Sequence, residues 1–271
     1  MILSSGSTAN PGVAGWGPAL VAALLYLLAT TRGERFEKAA SMALPAALAV
    51  HLLALVIDIA NWGSDLRGAR LGFAPVLSLT VWLVIVLHAI ETRLLPVPAV
   101  RRWLAPAGAW VVVLAAIFPG EVRPLSSPMA PLHFVLGVGA YGLFGAAVVH
   151  AALLDAAERR MRQKGAGLGG GGMPLLQLER LTFRFVEVGF IVLSAALVLG
   201  FFTTAQWKLD HKILLSMLGW AVFAALLAGR KLRGWRGRRA TRWLYVGAVL
   251  LLLAYVGSRF VFEVLLGRAP V

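Results

Sequence analysis

The sequence contains no cysteine and few charged residues. Of its 271 residues only 14% are charged, whereas 59% are hydrophobic, and the mean hydropathy is +0.81. Without cysteine, the chain forms no disulfide, thiolate metal site or CxxC redox pair of its own. A soluble domain of this length cannot bury so much apolar surface, so the composition predicts a protein whose solvent is lipid.

Long apolar segments follow one another along the chain. Each is roughly long enough to cross the ~30 Å hydrocarbon core of a bilayer as a helix. The segments run approximately over residues 13–31, 39–60, 71–90, 103–119, 131–154, 185–205, 213–229 and 243–264. No positive charge precedes the first segment, so we expect a retained helix rather than a signal peptide. The pattern predicts an all-α, polytopic bundle of about eight transmembrane helices.

Basic residues are concentrated on one side of this predicted bundle. The chain has 26 Lys and Arg against 12 Asp and Glu, and most of the basic residues fall in loops at 32–38, 93–102, 159–184 and 230–242. By the positive-inside rule, both termini then face outward from a bacterial inner membrane. The run "RKLRGWRGRR", residues 230–239, favours contact with anionic lipid headgroups over nucleic-acid binding.

A glycine-rich stretch divides the chain unequally. The segment "RRMRQKGAGLGGGGMP", residues 159–174, predicts a flexible cytoplasmic loop, which we place at 157–182. The loop joins helices one to five, within 13–154, to helices six to eight, within 185–264. We expect residues 1–271 to form a single integral membrane domain.

The five histidines are the main functional candidates, because polar groups in hydrocarbon are costly. His133 and His211 lie near outer helix ends. If helices five and seven are neighbours, these two imidazoles form a plausible axial pair for heme iron. The alternative for each is an interfacial histidine bonded to water, a headgroup or a carbonyl. His88 and His150 are interpreted as residues of the inner interface, and His51 needs a partner on a neighbouring helix or a wet cavity.

One stretch, "WKLDHKILLSMLGWAVFAALLAGR", resembles a motif of the cytochrome c assembly family, the heme-handling membrane proteins of the CcmC, CcmF and CcsA type. Trp207, Asp210 and Lys212 match the family's W-x-W-D-P-K-E pattern, and Trp220 matches a Trp in its next helix. The segment "LHFVLGVGAYGLFGAA" is similar to the family's helix that opens with a heme-facing His, here His133. Length, helix count and the C-terminal pattern are most similar to a YpjD or HemX-like subgroup.

Departures from the family pattern change the site that the resemblance implies. A Leu replaces the second Trp, His211 replaces the Pro, and the last helix reads "GSRFVF" where larger members have a second external His. The resemblance therefore implies a heme site with His133 as one iron ligand and His211 as a substitute for the other. Trp207 would stack on the porphyrin edge, and Lys212 and Arg259 would meet its propionates.

The function implied by the resemblance is that of a heme-binding or heme-handling inner-membrane protein that assists cytochrome c biogenesis or heme-protein assembly. Its partners would be heme, an apocytochrome or another assembly factor, and membrane lipids. The sequence has no Ser–His–Asp arrangement, paired carboxylates or HExxH motif, so we do not expect an enzyme. One alternative is a small-solute transporter with a polar path through His51, Glu187 and Tyr141. Another is a non-catalytic scaffold or regulator that depends on the small-residue face at 137–147.

Overall fold

The protein is almost entirely helical. The computed structural model describes residues 13–31, 34–62, 68–92, 98–123, 128–164, 175–203 and 210–267. Within these ranges the helices are α1 Val13–Leu28, α2 Glu34–Ile59, α3 Phe73–Thr92, α4 Pro98–Ile117, α5 Ala130–Lys164, α6 Leu175–Thr203, α7 His211–Arg233 and α8 Gly237–Leu265. The strands β1 Ala69–Arg70 and β2 Val122–Arg123 form one short antiparallel pair. The predicted all-α class is confirmed.

Several of the described helices are long and apolar enough to cross a membrane. The six candidate spans are Lys38–Ile59, Phe73–Glu91, Ala130–Arg162, Leu175–Phe202, His211–Arg233 and Gly237–Leu265. α1 and α4 contribute the shorter apolar stretches Trp16–Leu28 and Trp103–Ile117. Many large apolar side chains on these helices are exposed, for example Leu24 and Ile191 at 67% each. Such apolar surfaces are stable where lipid is the solvent.

The boundaries of the glycine-rich loop differ from the prediction. α5 continues to Lys164 and α6 begins at Leu175, so helices cover most of the 157–182 segment that was predicted to be a loop. The physical reason is that Ala, Glu, Arg, Met and Gln, which dominate the flanks, are strong helix formers. Apolar runs therefore mark only the part of each helix that lipid would cover. The glycines themselves lie outside the described residues.

Contacts between Cα atoms divide the chain into two compact units. Unit 1 comprises residues 1–78 and 105–124, and unit 2 comprises residues 79–104 and 125–271. In unit 1, α1 packs against α2. His51 of α2 is fully buried, with Nδ1 3.0 Å from the Tyr26 hydroxyl of α1 and Nε2 2.8 Å from Ser78 Oγ of α3. One imidazole thus joins three helices, which confirms the expectation that His51 has a partner on a neighbouring helix.

Unit 2 is built around α5 to α8. α5 packs against α6 and α8, and α7 packs against α8 and α6. At the centre, Phe144 of α5 stacks on Phe223 of α7 with ring centroids 3.9 Å apart. Side chains of α5 and α7 therefore touch across the core of unit 2. A Cβ at Gly142 or Gly145 would lie 2.9 Å or 2.6 Å from side chains of α3, so this small-residue face is a packing surface for α3.

The last helix, α8, is interrupted by two π-helical turns. It is α-helical over Gly237–Leu252, and the π turns are Leu253–Gly257 and Val261–Leu265. Just before the first π turn, the Tyr141 hydroxyl of α5 donates to the Leu251 carbonyl at 2.5 Å. Such turns widen the helix and are frequent at functional sites. They occur where α8 approaches the beginning of α7.

Candidate functional site

His133 lies in the first turn of α5 and is held by α6. Its Nδ1 is 3.0 Å from the Ala196 carbonyl, and Gly200, one turn further along α6, makes room for the ring. A Cβ on Gly200 would stand 2.9 Å from His133 Cε1. Because a carbonyl only accepts, Nδ1 carries the proton, and the neutral ring has its lone pair on Nε2. Histidines that ligate metals are commonly oriented in this way, with the second nitrogen donating to a carbonyl.

The beginning of α7 places His211 and Lys212 at the same end of unit 2. Asp210 is the N-cap residue, with an extended backbone and with Oδ1 accepting from the Ile213 amide at 2.9 Å. This cap fixes the direction in which α7 starts. His211 follows directly and stacks on Phe262 of α8, with ring centroids 5.5 Å apart. The acidic residue of the family motif therefore has a local structural role that the sequence analysis did not assign.

Two cations meet at one aromatic ring between α7 and α8. Lys212 Nζ lies 5.3 Å from the centroid of the Tyr255 ring, and the Arg259 guanidinium lies 5.1 Å from it. Arg259 also forms an ion pair with Glu263 at 3.3 Å, in which both side chains are 12% exposed. The Lys212 ammonium acts electrostatically on His133 as well. The cluster thus combines imidazole, cationic and aromatic groups from three helices.

The structure brings most of the predicted site residues to one end of unit 2. His133 of α5 lies against α6, whereas Lys212 of α7 and Arg259 of α8 share the Tyr255 ring. Among the described residues, no hydrogen bond or ring contact joins His133 to His211. Trp207, predicted to stack on the cofactor, lies outside the described residues. The sequence analysis missed Tyr255 and Phe262, although their seven-residue spacing on one helix is a signal for a shared face.

The other polar residues of the predicted transport path are tied into the fold. His51 is bonded to Tyr26 and Ser78 in unit 1, and Tyr141 is bonded to the Leu251 carbonyl in unit 2. Within the described part of the chain, no group of three or more His, Cys, Asp or Glu residues is arranged to hold a metal ion.

The fold defines a polytopic helical membrane protein with a site of imidazole, cationic and aromatic groups at one end. The family model for the cytochrome c assembly protein matches residues 18–266, so the chain belongs to the cytochrome c assembly protein family. The inner membrane protein YpjD of Escherichia coli K12 is 28% identical over 228 residues, which cover 81% of this chain and 84% of the relative. The cytochrome c biogenesis protein CcsA of a Synechococcus strain is 23% identical over 211 residues, covering 65% and 69%. No solved structure matches the chain.

Proposed function

We propose that this protein binds heme at the end of unit 2 where α5 begins with His133. We propose further that it assists cytochrome c biogenesis or the assembly of another heme protein. Membership of the cytochrome c assembly family and similarity to CcsA support a membrane role in cytochrome c biogenesis. The observation that carries the heme proposal is the His133 ring, whose Nδ1–H is held by the Ala196 carbonyl. That bond leaves Nε2 as an oriented donor for iron.

Each residue of the site has a distinct part in this proposal. His133 and His211 would hold the heme iron through their imidazole nitrogens, and Trp207 would contact the porphyrin. Bound heme would supply an iron that binds and releases imidazole nitrogens reversibly. Lys212 and Arg259 would meet the propionates, and Arg259 is already ion-paired with the carboxylate of Glu263 at 3.3 Å. A propionate at Arg259 would have to compete with that carboxylate.

The proposed arrangement in the membrane has eight spans, with α1 and α4 crossing as short helices, and both termini outside. The basic loops support this orientation. YpjD of Escherichia coli is named as an inner membrane protein, which supports the same location for this chain. The site then faces outward, where a partner apocytochrome or assembly factor would receive heme. The chain makes no covalent bond in this scheme, so we propose a binding protein rather than an enzyme.

Two observations weigh against the alternative functions. The hydrogen bonds of His51 and Tyr141 hold these residues within the fold, so they are poor elements of a transport path. Part of the small-residue face that a scaffold would present is already covered by α3, at Gly142 and Gly145. The heme proposal explains more of the polar residues than either alternative does.

The test is a visible absorption spectrum of the purified protein in detergent, with and without added hemin. We expect a low-spin bis-imidazole spectrum that is altered in His133→Ala and in His211→Ala. Lys212→Gln should weaken hemin binding, whereas Lys231→Gln, in the last turn of the same helix, should not. No hemin uptake by the wild type, or identical spectra in the wild type and all variants, would contradict the heme proposal. Either result would favour the alternative function of a non-catalytic scaffold.

A further inference from the structure

A second cluster of ionisable side chains is buried in unit 2, far from His133. His88 and Glu91 come from the last turns of α3, and His150 comes from α5. His88 is 5% exposed and His150 4% exposed. At the rise of an α-helix, His150 lies about 26 Å along α5 from His133.

The sequence analysis interpreted His88 and His150 as interface residues, and their burial corrects that interpretation. The cause is that α3 and α6 pack over this part of α5.

The hydrogen bonds of His150 require a proton between His150 and Glu91. His150 Nδ1 is 2.7 Å from the Ala146 carbonyl, which only accepts, so Nδ1 carries a hydrogen. His150 Nε2 is 2.9 Å from Glu91 Oε2. Two lone pairs do not approach this closely without a proton between them, so either His150 is an imidazolium or Glu91 is a carboxylic acid. The pair holds one proton in both descriptions.

The cluster also contains buried polar atoms that the fold does not satisfy. Within the described part of the chain, Glu91 Oε1 and His88 Nε2 are both buried without a hydrogen-bond partner. Such atoms each cost about 1–3 kcal/mol of stability, so their retention calls for an explanation. A role confined to joining α3 to α5 explains the Glu91–His150 contact, but it does not explain His88.

The groups around His88 define its electrostatic surroundings. Among the described residues, Glu91 lies three residues, or about one helical turn, beyond His88 on α3, and His150 of α5 lies 2.9 Å from Glu91. α6 contributes the Phe185 ring, which lies 5.4 Å from the His150 ring. The C-terminal end of α3 adds a partial negative charge, which favours a proton at this place. A neutral imidazole in such a position can accept a proton at one nitrogen and release one from the other.

We propose that His88, Glu91 and His150 form a proton-relay site at this end of unit 2. The Glu91–His150 pair stores one proton, and His88 is the group through which that proton exchanges with solvent. In the transfer, the stored proton moves to His88 Nε2, and the imidazolium so formed releases its Nδ1 proton to water. Glu91 is then a carboxylate beside a neutral His150, and a proton taken up from water restores the pair. The proton-relay site shares no residue with the proposed heme site, so the relay can be tested independently of heme binding.

The test is nitrogen NMR of histidine side chains in the detergent-solubilised full chain without heme. The wild type should show His150 with Nδ1 protonated and one further proton shared with Glu91. Glu91→Gln should convert His150 to the simple neutral ring with its proton on Nδ1. Glu158→Gln on α5, which removes the partner of an exposed Arg162 at 3.3 Å, is the matched control and should leave His150 unchanged. An unchanged His150 spectrum in Glu91→Gln would overturn the storage site.

The relay itself is tested by the exchange of the shared proton with water. His88→Phe keeps a ring of similar shape without nitrogens, and His88→Asn keeps polarity without a basic nitrogen. Both should slow exchange of the shared proton by at least about tenfold, because the route through an imidazole is lost. Using two variants keeps the test valid if one does not fold. Exchange as fast as in the wild type in a folded variant would overturn the relay and leave the cluster a structural contact.

Discussion

Gly200→Ala should disturb the proposed heme site without replacing any residue that would contact heme. Gly200 lies on α6 beside His133, and an added Cβ would stand 2.9 Å from His133 Cε1. Ordinary contacts of this kind begin at 3.4 Å, so the ring would have to retreat by about 0.5 Å (3.4 − 2.9). The bond from Nδ1 to the Ala196 carbonyl is already 3.0 Å long. A retreat of that size takes it beyond the usual 2.7–3.2 Å range.

The size of the effect follows from the loss of that hydrogen bond. A neutral hydrogen bond contributes about 0.5–1.5 kcal/mol to stability, so the fold should survive its loss. The groups that orient a metal-bound histidine typically account for about 10- to 100-fold in metal affinity. Hemin affinity should therefore fall by about that factor, with a low-spin spectrum that is weakened rather than absent.

The assay is a hemin titration followed by visible absorption, beside Gly139→Ala as the control. A Cβ at Gly139 would meet only Val192 Cγ1, at 3.9 Å, an ordinary contact. Both variants gain a similar helix propensity, up to about 1 kcal/mol, so this contribution cancels in the comparison. Equal hemin affinity in Gly200→Ala, Gly139→Ala and wild type, with the fold retained, would refute the argument that the Ala196 bond prepares His133.

Two further predictions concern stability, measured as the midpoint of thermal unfolding in detergent. His51→Leu should lower the midpoint, because it leaves the buried hydroxyls of Tyr26 and Ser78 without their partner, at about 1–3 kcal/mol each. Adding Tyr26→Phe and Ser78→Ala to His51→Leu should recover much of the loss, and no recovery would show that the loss is one of packing. Gly229→Ala should also lower the midpoint, by an overpacking cost of about 1–3 kcal/mol, because its Cβ would lie 2.5 Å from the Trp235 ring. Gly137→Ala is the control, because its Cβ would meet nothing within 4 Å. If Gly229→Ala unfolds at the same midpoint as Gly137→Ala, the predicted overpacking cost is contradicted.

The helical fold could be predicted from the sequence because apolar runs report directly on lipid exposure. The runs located every helix, but they failed at the ends of α5 and α6, where helices continue through charged residues to Lys164 and from Leu175. Helix propensity decides such extensions, and hydropathy carries no information about them. The π turns of α8 and the β1–β2 pair were also unforeseen, since both depend on contacts between segments distant in sequence.

The candidate site could be predicted only in part, because its contacts depend on how the helices pack rather than on hydropathy. Motif resemblance pointed to His133 and Lys212 before any geometry was known, whereas the ion pair of Arg259 with Glu263 is seen in the structure. The Ala196 carbonyl could not be found in this way, because every residue has a carbonyl and only packing selects one. Burial of His88 and His150 was missed because position along a helix does not reveal what covers it.

The stretch from Asp210 to Lys212 shows how one short segment can serve fold and site together. Asp210 stabilises the start of α7 by accepting from the Ile213 amide, and this fixes the first turn of the helix. His211 and Lys212 occupy that turn, so the cap also determines where their side chains point. They meet Phe262 and Tyr255, which belong to the two π turns of α8. A loop with no function would need the cap alone. The imidazole and the ammonium beside it, both directed at π-helical turns of the next helix, go beyond that need, and they are the groups that the heme proposal uses.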